Sequence, residues 1–215
     1  MKNLLYKELR LAVHPAFYLI LLAGVLLLIP HWPYLIAMMY LFFIVVPNLF
    51  QLSKASNDIG FTVMLPVRKR DIVKARLCTI MLLECLQVVT AVPFALLNSR
   101  LYPAGNDMID ANIAFFALTL MMYGLFNGVY FPMFYKTGYK VGAPILAATC
   151  VAVLFAAVAE TLVQVLPGAA YVLDGISAEA LVRQIPVLAL GIAIFALLNW
   201  LGYRGAAKRF ENVDL

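Results

Sequence analysis

Six stretches of this sequence, about 13–30, 34–52, 77–97, 112–134, 141–165 and 185–203, are each close to twenty residues of nearly unbroken apolar side chains. A helix needs roughly 20 such residues to cross a hydrocarbon core. Backbone in lipid must also satisfy its own hydrogen bonds, which for runs of this length and pattern leaves the helix. The sequence therefore specifies an all-α integral membrane protein with six transmembrane helices. Composition agrees: 65% of the 215 residues are hydrophobic and 13% charged, against about 45–50% and 25% in soluble domains. The same numbers exclude a disordered chain, a coiled coil and collagen. With no internal repeat or low-complexity tract, residues 1–215 read as a single transmembrane domain.

The placement of charge sets the topology. Lys2, Lys7 and Arg10 precede the first span, and Lys54, Arg68, Lys69, Arg70, Lys74 and Arg76 lie between the second and third. Lys136 and Lys140 separate the fourth and fifth, and Arg204, Lys208 and Arg209 follow the last. The opposite side keeps only Arg100 and Arg183, together with Asp107, Asp110, Asp174 and Glu179. Such a bias puts both termini in the cytoplasm. It also accounts for the net charge of +5 without a nucleic-acid partner. Glu8, and a first apolar run ending in Pro30-His31-Trp32-Pro33, argue against a cleavable signal peptide. Trp32 and Tyr34 suit the outer interface, and Tyr135, Tyr139, Trp200 and Tyr203 the inner one.

Three segments outside the spans carry patterns of their own. Residues 1–14 place Leu4, Leu5, Leu9, Ala12 and Val13 on one helical face, opposite Asn3, Lys7, Arg10 and His14. That pattern predicts an interfacial helix on the inner leaflet. Residues 53–76 form the longest cytoplasmic loop. Ser56, Asn57 and Asp58 are capping residues, followed by apolar Ile59, Phe61, Val63, Met64 and Leu65, a break at Pro66, and Asp71 as a cap for the helix entering span three. A short apolar helix in so basic a segment either receives a protein partner or packs on the chain's own spans. In the outer loop 166–184, Ser177 and Glu179 predict a short helix before the last span.

Catalytic, cofactor and metal chemistry is not expected in this chain. There is no G-x-x-x-x-G-K-[ST] and no Gly-Lys pair to cradle a phosphate. His14 and His31 fall on opposite sides of the membrane, and Cys78, Cys85 and Cys150 sit in apolar runs as small buried residues without metal-ligand spacing. Two carboxylates, Glu84 and Glu160, lie within spans, where charge is costly. They either face a water-filled path or a cationic cargo, or they bond to neighbouring helices. Pro47, Asn48 and Gln51 interrupt the inner third of span two and are further candidates for lining a path. Gly124-x-x-x-Gly128 and Gly138-x-x-x-Gly142 permit close helix contact, and Pro93 and Pro132 predict kinks.

In layout the whole chain resembles an ABC-2 type transporter permease. The sharpest likeness runs from Asn57-Asp58 through Met64-Leu65-Pro66-Val67-Arg68-Lys69-Arg70-Asp71-Ile72-Val73-Lys74-Ala75-Arg76, similar to the family's segment entering span three. In size the chain is similar to compact bacterial permeases, including those that export phenol-soluble modulins. The resemblance implies a bacterial plasma-membrane exporter built from two permease subunits, identical or paralogous, and two separate P-loop ATPase subunits that bind ATP and Mg. It implies an amphipathic or hydrophobic cargo: a peptide, lipid-like molecule or drug. Asn57, Asp58, Ile59, Phe61 and Leu65 would form the coupling helix seated in the ATPase, with Phe61 its central contact and Asp58 its cap. Residues 1–14 would be the connecting helix beside it. The alternatives are a non-transporting immunity or sensor protein that binds a peptide, and an ion-coupled transporter without a motor.

Overall fold

Apolar periodicity and chain breakers resolve into nine helices among the described residues, 2–137 and 140–213 of a computed structural model. Helix α1 is Lys2–Lys7, prolonged as a π-turn over Glu8–Ala12. Helix α2 is Phe17–Leu28, α-helical only to Ile20 and 3-10 over Leu21–Leu28. Next come α3 (Tyr34–Ala55), α4 (Asp58–Met64), α5 (Lys69–Leu101) and α6 (Ile113–Phe134). Helices α7 (Gly142–Val165), α8 (Pro167–Leu173) and α9 (Ala178–Glu211) complete the chain. Five of these, α3, α5, α6, α7 and α9, are long and apolar enough to cross a membrane, and α2 is a shorter apolar helix. The expected first span, 13–30, is thus a short and irregular segment.

Helix α6 is the centre of the bundle, with most of its apolar stretch buried, whereas α9 and α7 turn most of theirs outward. Its aromatic residues fill the space towards α3: Phe42 stacks on Phe126 at 4.6 Å between centroids, and Phe50 meets Phe134 edge-on at 4.6 Å. Towards α9 the contact is backbone on backbone. A Cβ on Gly191 would come within 2.8 Å of the Ala117 carbonyl oxygen, so only glycine allows this approach. Gly124 and Gly128 face Phe195 and Leu198 of α9, which makes that pair internal packing. Gly138 and Tyr139 lie outside the described residues. Helix α2 lies along α5, where Gly24 brings it against Ala91 and Thr90 donates to the Leu21 carbonyl.

Local chemistry explains where the expected boundaries moved. Pro47 has no N–H to give inside α3, and the helix loosens into a π-turn over Leu41–Val45 just before it. The short helix expected before the last span is Pro167–Leu173, started by proline at its first position, rather than the Ser177 segment. Ser177 is indeed an N-cap, accepting from the Ala180 N–H at 3.2 Å, but the helix it opens runs unbroken through the last apolar stretch. Cys85 and Cys150 are exposed on α5 and α7 and Cys78 is half-buried, not buried as expected. On a surface that is itself apolar, a small apolar side chain sits as well outside as inside.

Candidate functional site

The segment 53–76 folds back on α1 and builds an ionic cluster around the buried pair Glu8 and Arg76, with Lys7 and Asp58 half-buried beside them. Helix α3 stops at Ala55, and Asn57 turns the chain in the left-handed region with φ +49°, a conformation asparagine tolerates. The side chain of Asn57 makes no capping bond, and neither does Asp58. Instead the Asp58 carboxylate reaches away from its own helix. It accepts from Arg76 Nη2 at 2.9 Å and Ser53 Oγ at 3.2 Å, and pairs with Lys7 Nζ at 2.5 Å. The expected cap is therefore an ion-pair partner, because two cations lie within reach.

Arg76 is 1% exposed on α5, two turns above its start at Lys69. Its guanidinium pairs with Glu8 through Nε at 2.5 Å, and Nη2 donates to Glu8 Oε1 at 3.1 Å and to Ser53 Oγ at 3.3 Å. It also lies over the Phe50 ring, 5.3 Å from the centroid. Lys7 closes the circle, donating to Thr62 Oγ1 at 2.8 Å and approaching Glu8 at 3.5 Å. Two cations and two anions from α1, α4 and α5 so neutralise one another, with Ser53 and Phe50 of α3 as floor. Burial would raise the Asp58 carboxyl, but the Lys7 hydrogen bond and the Arg76 and Lys7 charges outweigh it and hold Asp58 below the ordinary carboxylate range.

Helix α4 therefore has two faces. Ile59 and Thr62 point inward at 8% and 1% exposure, while Phe61, Met64 and Leu65 stand out at 63%, 83% and 42%. The inner residues pack on the chain's own elements, one of the two alternatives the sequence left open, while the outer apolar residues stay uncovered. Between α1 and α4 runs a groove of about 890 Å³ whose lining includes Leu4, Lys7, Phe61, Leu65 and Val67. At the start of α5, Asp71 accepts from Arg68 Nε at 2.8 Å, and Lys69 Nζ donates to the Val213 carbonyl at 2.6 Å. The N-terminal helix, the 53–76 segment and the end of α9 thus meet at one end of the bundle.

The four residues considered for a path are not brought together. Asn48 and Gln51 are exposed on α3, and Asn48 Nδ2 donates at 2.7 Å to the Ile44 carbonyl, next to the turn that Pro47 disturbs. Glu84 is fully buried between helices: Asn127 Nδ2 lies 2.9 Å from both of its oxygens and 2.9 Å from Asn199 Oδ1, joining α5, α6 and α9. Glu160 lies at the far end of α7, where Oε2 accepts from the Ile109 N–H at 3.1 Å. Nearby, Asp110 N–H donates to Asp174 Oδ1 at 3.1 Å, and the Asn106 N–H donates to Asp110 Oδ1 at 2.7 Å. Burial, with the Asp174 charge adding to it against the Asn106 bond, pushes Asp110 up to about 6.

Lys7, Glu8, Ser53, Thr62 and Arg76 were not singled out from sequence. The one available signal was Glu8, the sole acid in a basic amphipathic segment, which needs a cation to be buried. Among the described residues no group of acids, histidines and cysteines is arranged to hold a metal ion. The sequence model of the family described as ABC-2 family transporter protein matches residues 3–203. No curated protein and no solved structure matches the chain.

Proposed function

The chain belongs to the ABC-2 transporter family, and from that premise we propose that it is the permease subunit of an exporter driven by a separate P-loop ATPase. The single observation that carries this reading is the outward apolar face of α4, Phe61, Met64 and Leu65, held by its inner face to α1 and α5. An exposed apolar cluster amid basic side chains fits a protein socket better than water, and with no phosphate-binding loop in the sequence energy must enter through such a surface. Asn57, Asp58, Ile59, Phe61 and Leu65 are the coupling segment in this reading. Phe61 and Leu65 make the contact; Asp58 and Ile59 anchor the helix. The cargo is amphipathic or hydrophobic, and a second permease subunit completes the path.

The same reading makes α2 a sixth crossing, with both termini in the cytoplasm of a bacterial cell. Two contacts support it. The chain before α2 touches the inner end of the bundle, through Lys7 and Glu8. The last turn of α2 and the chain after it touch the outer end: Asn98 Nδ2 donates to the Leu27 carbonyl at 2.6 Å, and Asn106 Nδ2 to the Trp32 carbonyl at 2.9 Å. The 3-10 turns help a short segment reach. Twelve residues rise about 18 Å as an α-helix, but four α and eight 3-10 residues rise about 22 Å.

The test is co-purification of the tagged chain from its native membranes with any P-loop ATPase, followed by ATP hydrolysis in proteoliposomes. The proposal expects a stable complex whose hydrolysis rate depends on the permease. An ATPase that neither binds nor responds would overturn it. On a cysteine-free background, Arg70→Cys should resist an impermeant thiol reagent in intact cells while Ala104→Cys reacts.

A further inference from the structure

Of the four elements at the inner end, α3, α4 and α5 are joined by short, irregular links, and α1 reaches them along the chain only through α2. Ser56 and Asn57 separate α3 from α4, and residues 65–68 separate α4 from α5. Helix α4 has seven residues, fewer than a helix needs to hold itself in water, and its links alone do not fix its position. Two side chains do: Lys7 of α1 bonds Asp58 and Thr62 of α4, and the Arg76 guanidinium, reaching from α5, bonds Glu8 of α1, Asp58 of α4 and Ser53 of α3 and so carries the tie on to the membrane part. The guanidinium fork is rigid, and its donors define direction as well as distance. A buried ion pair is weak evidence for added stability, and its best-attested use is to fix registry between elements.

We infer that Arg76 is a transmission joint: it locks α1, α4 and the inner end of α5 into one lever, so that displacement of α4 is delivered to the membrane part of α5. This rests on the proposed docking of an ATPase on α4 and adds to it the residue that carries the motion inward. Arg76 itself touches neither partner nor cargo in this arrangement. It is a positioning residue, buried behind α4 while Phe61, Met64 and Leu65 face away from it. The lever is discrete rather than pliable. Moving α4 without α5 would break the Arg76–Asp58 bond; each charge keeps its other partner, Glu8 or Lys7, but Arg76, 1% exposed, loses a charged hydrogen bond that water cannot readily replace.

The test uses the chain with its ATPase in nanodiscs, comparing native protein with Arg76→Gln/Glu8→Gln. The double change removes one cation together with one anion and leaves the Lys7–Asp58 pair, so the cluster stays neutral while the shorter amide at position 76 cannot span from position 8 to Asp58. Spin labels at Val63→Cys, on α4 but outside the docking face, and Val89→Cys report the distance from α4 to α5, and labels at Val89→Cys and Leu197→Cys that from α5 to α9. Val89 and Leu197 are exposed and Val63 is half-buried, and labelled chain is diluted with unlabelled chain. On trapping with ATP and orthovanadate, the native complex should change the α5–α9 distance and keep the α4–α5 distance. The double variant should bind the ATPase within about threefold of native and keep its melting temperature, yet reverse the pattern. A double variant that moves α5 as the native chain does overturns the joint. So does one that loses ATPase binding, since Arg76 would then only support the docking surface. If the native chain does not bind the ATPase, the docking reading itself falls, and the joint with it.

Discussion

Truncating Phe61 to alanine separates a docking surface from a packing surface on one seven-residue helix. A phenylalanine side chain offers about 150–250 Å² for burial, and Phe61 leaves 63% of its surface open, so roughly 130 Å² is available to a partner. At about 25 cal/mol per Å² that is about 3 kcal/mol if fully covered. Alanine keeps the Cβ share, which lowers the expected loss to about 2 kcal/mol, or about thirtyfold in Kd. Isothermal titration of the purified ATPase against nanodisc-embedded chain measures it directly. The melting temperature of the isolated chain should not change, because little of Phe61 is buried within it. Ile59→Ala gives the opposite signature: its side chain is 8% exposed, so the chain itself is destabilised by about 2 kcal/mol. Arg70→Ala should cost no more than about 1 kcal/mol, as an exposed cation beside headgroups. Binding by Phe61→Ala within twofold of native would refute the assignment of this face.

Three further outcomes follow from the packing. Gly191→Ala should lower thermal stability by about 1–3 kcal/mol, because its Cβ meets Ala117 backbone at 2.8 Å, whereas Gly142→Ala, with nothing within 4 Å, should be silent in the same detergent melts. Glu84→Gln should preserve yield and melting temperature, since an amide can accept from Asn127 and donate to its unbonded Oδ1; Asn127→Ala should lower stability by about 1–3 kcal/mol by orphaning the carboxylate. Asp110 is an acid whose folded value is raised to about 6, so its contribution is fully present below about pH 4, the unfolded value, and is lost as pH rises through 6. Asp110→Asn should therefore raise the melting temperature at pH 7.5 and leave it unchanged at pH 4.

Hydropathy made most of the membrane part legible. The stretch 112–134 became Ile113–Phe134 and 141–165 became Gly142–Val165, because in lipid an apolar run of that length has one regular solution. The irregular first segment was hidden, since leucines in a 3-10 helix are as apolar as leucines in an α-helix. Where helices end outside the apolar run was equally hidden: α5 begins at Lys69 and α9 reaches Glu211, continued by polar residues that hydropathy discounts. The outward face of α4 was visible as apolar residues in a basic loop. Its anchor was not, because Glu8 and Arg76 are 68 positions apart and pair only once α1 has folded under the bundle. Counting Arg76 among the basic residues served the expected topology and concealed the ion pair.

The central claim is that a separate ATPase seats on α4. A photoreactive phenylalanine analogue in place of Met64, which is 83% exposed, tests it in native membranes, with Tyr171 of α8 at the opposite end as the control position. The account predicts a covalent adduct between the chain and a P-loop ATPase on illumination at position 64, diminished by Phe61→Ala, and none at position 171. Absence of any ATPase adduct at position 64, or its appearance at position 171, would contradict it.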